Sequence, residues 1–143
     1  MTDYKELVIL VAEDDDGHAE LIKEGLIESG VRNRIVRFSN GQEVWNFLSS
    51  AGGGPVRETD KNYLLLLDVN MPIMDGIEVL RRMKSDSELK DIPVIMLTTT
   101  DDPREVEVCY KIGCNIYISK PVDFMKFTDT LKRLGLFLQV VKI

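Results

Sequence analysis

The sequence predicts an α/β fold in which a parallel sheet is covered by helices on both faces. Two observations carry this. Short apolar runs, most of them stopped by acidic or hydroxyl residues, alternate five times with segments of helical period. Residues 7–12, 63–67 and 92–97 are also apolar almost throughout rather than at every second position, the mark of strands buried on both faces.

In chain order, residues 7–12 form the first strand and end at Glu13. Asp15 or Asp16 can cap a helix whose apolar face is Ala19, Ile22 and Leu26, joined by Ile27, with Gly30 as its stop. Residues 34–38 make a second, more polar strand, nearer an edge. Val44, Phe47 and Leu48 mark the second helix, with Trp45 beside them as a packed or half-packed ring. Residues 49–62 hold Gly52, Gly53, Gly54 and Pro55 among charges, a loop that is long for a compact domain. Residues 63–67 are the third strand, and a short helix follows Gly76 from Ile77 to Lys84. The fourth strand runs over 92–97. Pro103 suits the first turn of a helix to Ile112, stopped by Gly113. A fifth strand covers 116–118 and a last helix 124–134.

The chain has 143 residues, 44% hydrophobic and 29% charged, with a formal net charge of −6. That length suits one domain with a single sizeable core. The acidic balance offers no footprint for duplex DNA or an anionic membrane. Cys109 and Cys114 fit neither a C-x-x-C nor a zinc pattern, and read as small packed residues of a reduced protein. The polar, acidic start lacks a signal-peptide profile, and no apolar run approaches membrane-spanning length. A cytoplasmic protein is expected.

Ligands of such sheets bind outside the carboxyl ends of the strands. Glu13 and Asp14 follow the first strand, Asp68 the third, Thr98 the fourth, and Lys120 stands just past the fifth. Three carboxylates, a hydroxyl and an ammonium therefore converge on one rim. An acid after a strand often only caps the next helix, but three with a lysine exceed that need. Carboxylates packed together oppose folding unless a cation joins them. Mg2+ suits an all-oxygen set and bridges carboxylates to phosphate. One carboxylate is then free to be ligand or nucleophile, and a carboxylate can accept a phosphoryl group. Lys120 and Thr98 would meet the phosphoryl oxygens.

These residues resemble the response-regulator receiver domains of two-component signalling. Asp68-Val69-Asn70-Met71-Pro72-Ile73-Met74-Asp75-Gly76 is similar to that family's D-x-x-M-P-x-M-D-G segment. Glu13-Asp14 resembles its acidic pair, Thr98 its hydroxyl position, Tyr117 its switch aromatic and Lys120-Pro121 its K-P. The resemblance covers roughly residues 7–134. It implies a flavodoxin-like sheet in the order 2-1-3-4-5, with Asp68 as phosphoacceptor. Mg2+ would be held by Glu13, Asp14, Asp68 and the Asn70 backbone carbonyl, and Thr98 and Lys120 would contact the phosphoryl group. It also implies a cis Lys120-Pro121 bond, and a switch in which Thr98 moves toward the phosphoryl group while Tyr117 turns inward. The implied protein is no enzyme beyond its own phosphorylation and autodephosphorylation. Its partner is a sensor histidine kinase, and its output is protein binding. Alternatives are a relay that passes the group to a histidine phosphotransfer protein, and a receiver-fold adaptor independent of phosphorylation.

The sequence departs from the family pattern in places. The acidic run extends to Asp16, which leaves the metal pair open by one position, and strand length favours Glu13-Asp14. Thr99 is bulkier than the small residue common there, and with Asn70 and Thr100 it can tune water access. Other readings fit less well. Asp14-Asp15-Asp16-Gly17 lacks the ligand spacing of a calcium loop. The glycine triplet has no G-K-[ST] after it. His18, the only histidine, reads as a solvated helix residue. A dehalogenase-type phosphatase would want an acid where Asn70 stands.

Residues 135–143 are too short for an output domain and too apolar for an idle terminus. They either fold back or form an arm on a second copy, as an added strand or a helical continuation. The reading adopted is a receiver over 1–134 and a C-terminal arm over 135–143 that makes a homodimer. The loop insertion and the arm are similar to single-domain regulators paired with bacterial phytochrome kinases.

Overall fold

A computed structural model describes residues 6–99, 102–120, 123, 125–127 and 129. Among the described residues, five strands and four complete helices alternate: β1 (Leu7–Ala12), α1 (Asp16–Glu28), β2 (Ile35–Phe38), α2 (Gly41–Ser49), β3 (Asn62–Asp68), α3 (Gly76–Lys84), β4 (Val94–Thr98), α4 (Pro103–Ile112) and β5 (Ile116–Ser119). The strands form one parallel sheet in the order β2-β1-β3-β4-β5. Fold class and strand order are those expected. Met125–Phe127 and Asp129 are helical, and the Asp123 carboxylate accepts the Met125 and Lys126 N–H groups at 3.0 and 3.3 Å. The rest of the expected last helix, the Lys120-Pro121 bond and the arm lie outside the described residues.

Alternation along β1 divides the core in two. Val8, Leu10 and Ala12 join Val44, Phe47, Leu48, Val79, Leu80, Met83 and Cys109 on the face covered by α2, α3 and α4. Leu7, Ile9 and Val11 join Ile22 and Leu26 of α1 and Phe127 on the other. Both faces of the interiors of β1, β3 and β4 are thereby removed from water, which is why residues 7–12, 63–67 and 94–97 are apolar at successive positions. β2 at the edge keeps Arg37 exposed and is correspondingly polar.

Helix ends follow local chemistry. Asp15 caps α1, accepting the His18 N–H at 2.8 Å. Asn40, Asp75 and Asp102 cap α2, α3 and α4 in the same way. Gly30, at φ 96°, follows α1 while the Val31 N–H returns to the Leu26 carbonyl at 3.0 Å. Ile27, expected on the apolar face, is 53% exposed: a 13-residue helix packing through Ala19, Ile22 and Leu26 turns it away from the sheet. Trp45 is half-buried, with the Arg82 guanidinium 5.7 Å from its ring centroid. The loop between α2 and β3 is tied down by Arg57, whose N–H donates to the Phe47 carbonyl and whose Nε donates to the Leu48 carbonyl, both at 3.0 Å. Both cysteines are buried and unbridged, and burial raises their thiol pKa to about 11 for Cys109 and about 12 for Cys114. Inert packing is the role such thiols suit.

Candidate functional site: an acidic rim at the carboxyl end of the sheet

The parallel sheet brings the carboxyl ends of β1, β3, β4 and β5 to one edge. Asp68 and Thr98 are the last residues of β3 and β4, and Glu13 and Lys120 directly follow β1 and β5. Glu13, Asp68 and Thr98 are all buried, whereas Asp14 is exposed. Oxygens from Glu13, Asp14 and Asp68 lie within 4.8 Å of one another. Lys120 Nζ bonds to Glu13 Oε2 and stands 3.4 Å from Asp68 Oδ2. Glu13, Asp14, Asp68 and Lys120 are thus brought together, and Thr98 ends the strand between β3 and β5.

Burial, and then the Glu13 carboxylate, push the Asp68 carboxyl up to about 6, against the downward pull of Lys120 and the Asn70 N–H. One ammonium facing three carboxylates leaves excess negative charge at a low-dielectric edge. A hard divalent cation is the ligand that such an all-oxygen set fits.

The segment after Asp68 is shaped by two close approaches. A Cβ on Gly76 would lie 2.1 Å from the Asp68 carbonyl oxygen, and the Gly76 N–H donates to the Val69 carbonyl at 2.8 Å. A Cβ on Gly41 would lie 1.8 Å from the Met74 carbonyl oxygen. Met71 and Met74 are buried, as expected of packing residues. Between Pro72 and Met74, Ile73 has φ 72° and is 78% exposed, and the Met74 N–H closes a three-residue turn on the Pro72 carbonyl at 2.8 Å. Asn70 is exposed at the start of this segment and Thr99 after β4, while Thr100 lies outside the described residues.

Tyr117 on β5 is half-buried. Its hydroxyl donates to Glu105 Oε1 on α4 at 3.0 Å and also hydrogen-bonds to the Thr98 side chain. Burial is the main cause raising its pKa above the usual phenol value.

Three contributors were not legible in the sequence. Glu105 reads as one more exposed helix acid. Arg37 reads only as a polar residue on a weak strand, yet its guanidinium bonds to the acidic loop. Its one available signal is that it lies near the end of a strand paired beside β1. His18 is half-exposed on α1, as expected, but its Nδ1 lies 3.6 Å from Glu13 Oε1, so it borders the rim.

A doubly wound sheet with a buried aspartate, an acidic pair and a lysine on one rim defines a class of signalling domain. The chain belongs to the response regulator receiver domain family, whose model matches residues 9–132. It is 34% identical over 113 residues to response regulator Rcp1 of Synechocystis sp., covering 79% of this chain and 76% of that one. The Mn2+-bound form of Rcp1 is a solved structure with a TM-score of 0.73, 29% identical, covering 95% of this chain and 96% of that one. A receiver domain from Rhodospirillum rubrum superposes at TM-score 0.72 with 39% identity, covering 95% and 96% of the two chains. The bacteriophytochrome response regulator RtBRR superposes at 0.82 with 33% identity, covering 95% and 82%. Receiver domains are signalling domains that bind divalent metal and partner with histidine kinases. No described helix is long and apolar enough to cross a membrane.

Proposed function

We propose that this receiver accepts a phosphoryl group from a histidine kinase onto Asp68 in a Mg2+-dependent reaction, and relays the event to a protein partner through Thr98 and Tyr117. The observation that carries this reading is a buried Asp68 carboxylate flanked by Lys120 on one side and by Glu13 and Asp14 on the other.

Without a bound ion the Asp68 pKa of about 6 leaves it largely ionised at neutral pH, and a cation beside it would favour the carboxylate further. The P–N bond of a phosphohistidine breaks as a P–O bond to Asp68 forms. The histidine nitrogen keeps the electron pair and later takes a proton from solvent. Lys120, 3.4 Å from Asp68 Oδ2, would hold a phosphoryl oxygen once its contact with Glu13 Oε2 loosens. Glu13, Asp14, Asp68 and the Asn70 carbonyl are the groups to hold the ion. When bound, the ion offsets the charge of the carboxylates and the phosphoryl oxygens.

The switch rests on a competition. Thr98 has one hydroxyl proton. While its side chain is engaged with the Tyr117 hydroxyl, Tyr117 stays tied to β4 and to Glu105. A phosphoryl oxygen on Asp68 offers that proton a charged acceptor, and a charged acceptor makes the stronger bond. Thr98 then turns to the phosphoryl group, and the Tyr117 ring repositions against α4, changing the surface a partner reads. Likeness to a bacteriophytochrome response regulator supports a kinase of that type as the donor.

Incubation with acetyl phosphate and Mg2+, read by intact mass, tests the reading. Wild type gains one phosphoryl mass and Asp68→Asn gains none. Absence of the gain in wild type, where a control receiver is labelled, favours the phosphorylation-independent adaptor.

A further inference from the structure

We propose that Arg37, on the edge strand β2, is a positioning residue for the cation site: its guanidinium holds the main chain around Asp14 in the shape that presents the acidic pair. This rests on the reading of Glu13, Asp14 and Asp68 as a cation site.

β1 and β2 pair in register as far as Ala12 and Phe38, and the Glu13 N–H makes a last ladder bond to the Phe38 carbonyl at 3.0 Å. Beyond that point the acidic loop leaves the sheet, and the Arg37 side chain takes over. Its Nε and Nη2 both donate to the Glu13 carbonyl, at 3.1 and 2.8 Å. Nη2 also donates to the Asp14 carbonyl at 3.2 Å, and Nη1 to Asp16 Oδ1 at 2.7 Å.

The two carbonyls belong to the peptide planes on either side of the Asp14 Cα. Holding both planes restricts φ and ψ of Asp14, and so the direction of its Cα–Cβ bond. Asp14 is the exposed member of the acidic trio, whereas Glu13 and Asp68 are fixed by burial and by Lys120. It is therefore the member whose position most depends on its backbone. The contact requires a planar fork, because two N–H groups of one side chain share a single carbonyl. An ammonium is a compact point charge and lacks that geometry.

The sign of the effect separates positioning from charge. A guanidinium beside a cation site repels the cation, so on electrostatics alone removing it would tighten binding. Positioning predicts the reverse. The test is Mn2+ binding by the purified chain, followed by the EPR signal of the free ion, with melting temperature in EDTA measured alongside. Arg37→Met and Arg37→Lys should both bind Mn2+ about tenfold more weakly, the size of loss typical when an outer-shell partner of a metal ligand is removed. Arg37→Lys keeps the charge and the aliphatic stem, so it serves if Arg37→Met does not fold.

Mn2+ affinity in Arg37→Met equal to or above wild type would overturn the proposal, as would full rescue by Arg37→Lys. Glu13→Gln is the control for the site itself. If it binds Mn2+ as wild type does, or wild type binds none, the cation-site reading fails and the positioning role goes with it. Loss in Glu13→Gln with retention in Arg37→Met rejects Arg37 alone.

Discussion

Asp68, the proposed phosphoacceptor, is a buried titratable group, and its raised pKa has a sign that can be checked. The folded value of about 6 exceeds the ordinary 3.8, so the fold favours the neutral acid. That stability is fully present below pH 4 and is lost as pH rises through about 6. Asn is a neutral isostere at every pH. In EDTA, Asp68→Asn should therefore gain stability relative to wild type between pH 4 and pH 7, by on the order of 2–3 kcal/mol. Denaturant melts at the two pH values measure it, and a difference that does not change with pH refutes the burial argument. Ile73 offers a second check at this scale. A β-branched residue at φ 72° is strained, and with 78% of its surface exposed it recovers little by burial. Ile73→Gly should be more stable than wild type by up to about 1 kcal/mol, against the usual cost of glycine.

At the scale of elements, the site depends on how closely α3 and α4 approach the strand ends. α3 begins where Gly76 presses on the Asp68 carbonyl, leaving no room for a methyl group. Gly76→Ala should cost roughly 2–3 kcal/mol. Because the displaced carbonyl belongs to Asp68 itself, labelling by acetyl phosphate should slow at temperatures where the variant is still folded. α4 meets β5 through Glu105 and Tyr117. Glu105→Ala removes one of the two groups that hold the phenol, so the ring should leave Thr98 more readily. The expected outcome is a shifted Tyr117 ring resonance in the unphosphorylated protein, moved toward its position in the phosphorylated one. An unchanged spectrum would mean that Thr98 alone holds the ring.

At the scale of the whole molecule, the rim joins residues far apart in the chain, with Lys120 reaching Glu13 across 107 positions. The proposed cation site would therefore form only in the folded sheet, and a cation that bound it would stabilise the fold by mass action. At a hundredfold excess over the dissociation constant this is about 2.7 kcal/mol. A rise in melting temperature with Mg2+ in wild type, absent in Glu13→Gln, is expected. The apolar residues 135–143 belong to this scale too. Packed on a second copy, as the sequence leads one to expect, such an arm would make a homodimer. Light scattering should then report a dimer for the full chain and a monomer for a chain ending at Leu134, and a truncated chain that stays dimeric would refute the arm's role.

The elements, their order and the composition of the rim are legible in the amino-acid sequence. Those features have short-range causes: a buried parallel strand must be apolar on both faces, a helix start wants an aspartate or asparagine, and a strand end in such a sheet faces the ligand edge. Glu13, Asp14, Asp68, Thr98 and Lys120 were legible because each stands at a strand end. Ile27 was misjudged because its face depends on how α1 rests on the sheet. Which side chains meet depends instead on the packed fold. That Lys120 lies on Glu13 as well as near Asp68, that Tyr117 bridges Thr98 and Glu105, and that Arg37 grips the acidic loop all depend on strand register and on the distance between packed helices. Hydrogen bonds of about 3 Å are settled by those dimensions, and periodicity along the chain carries no record of them.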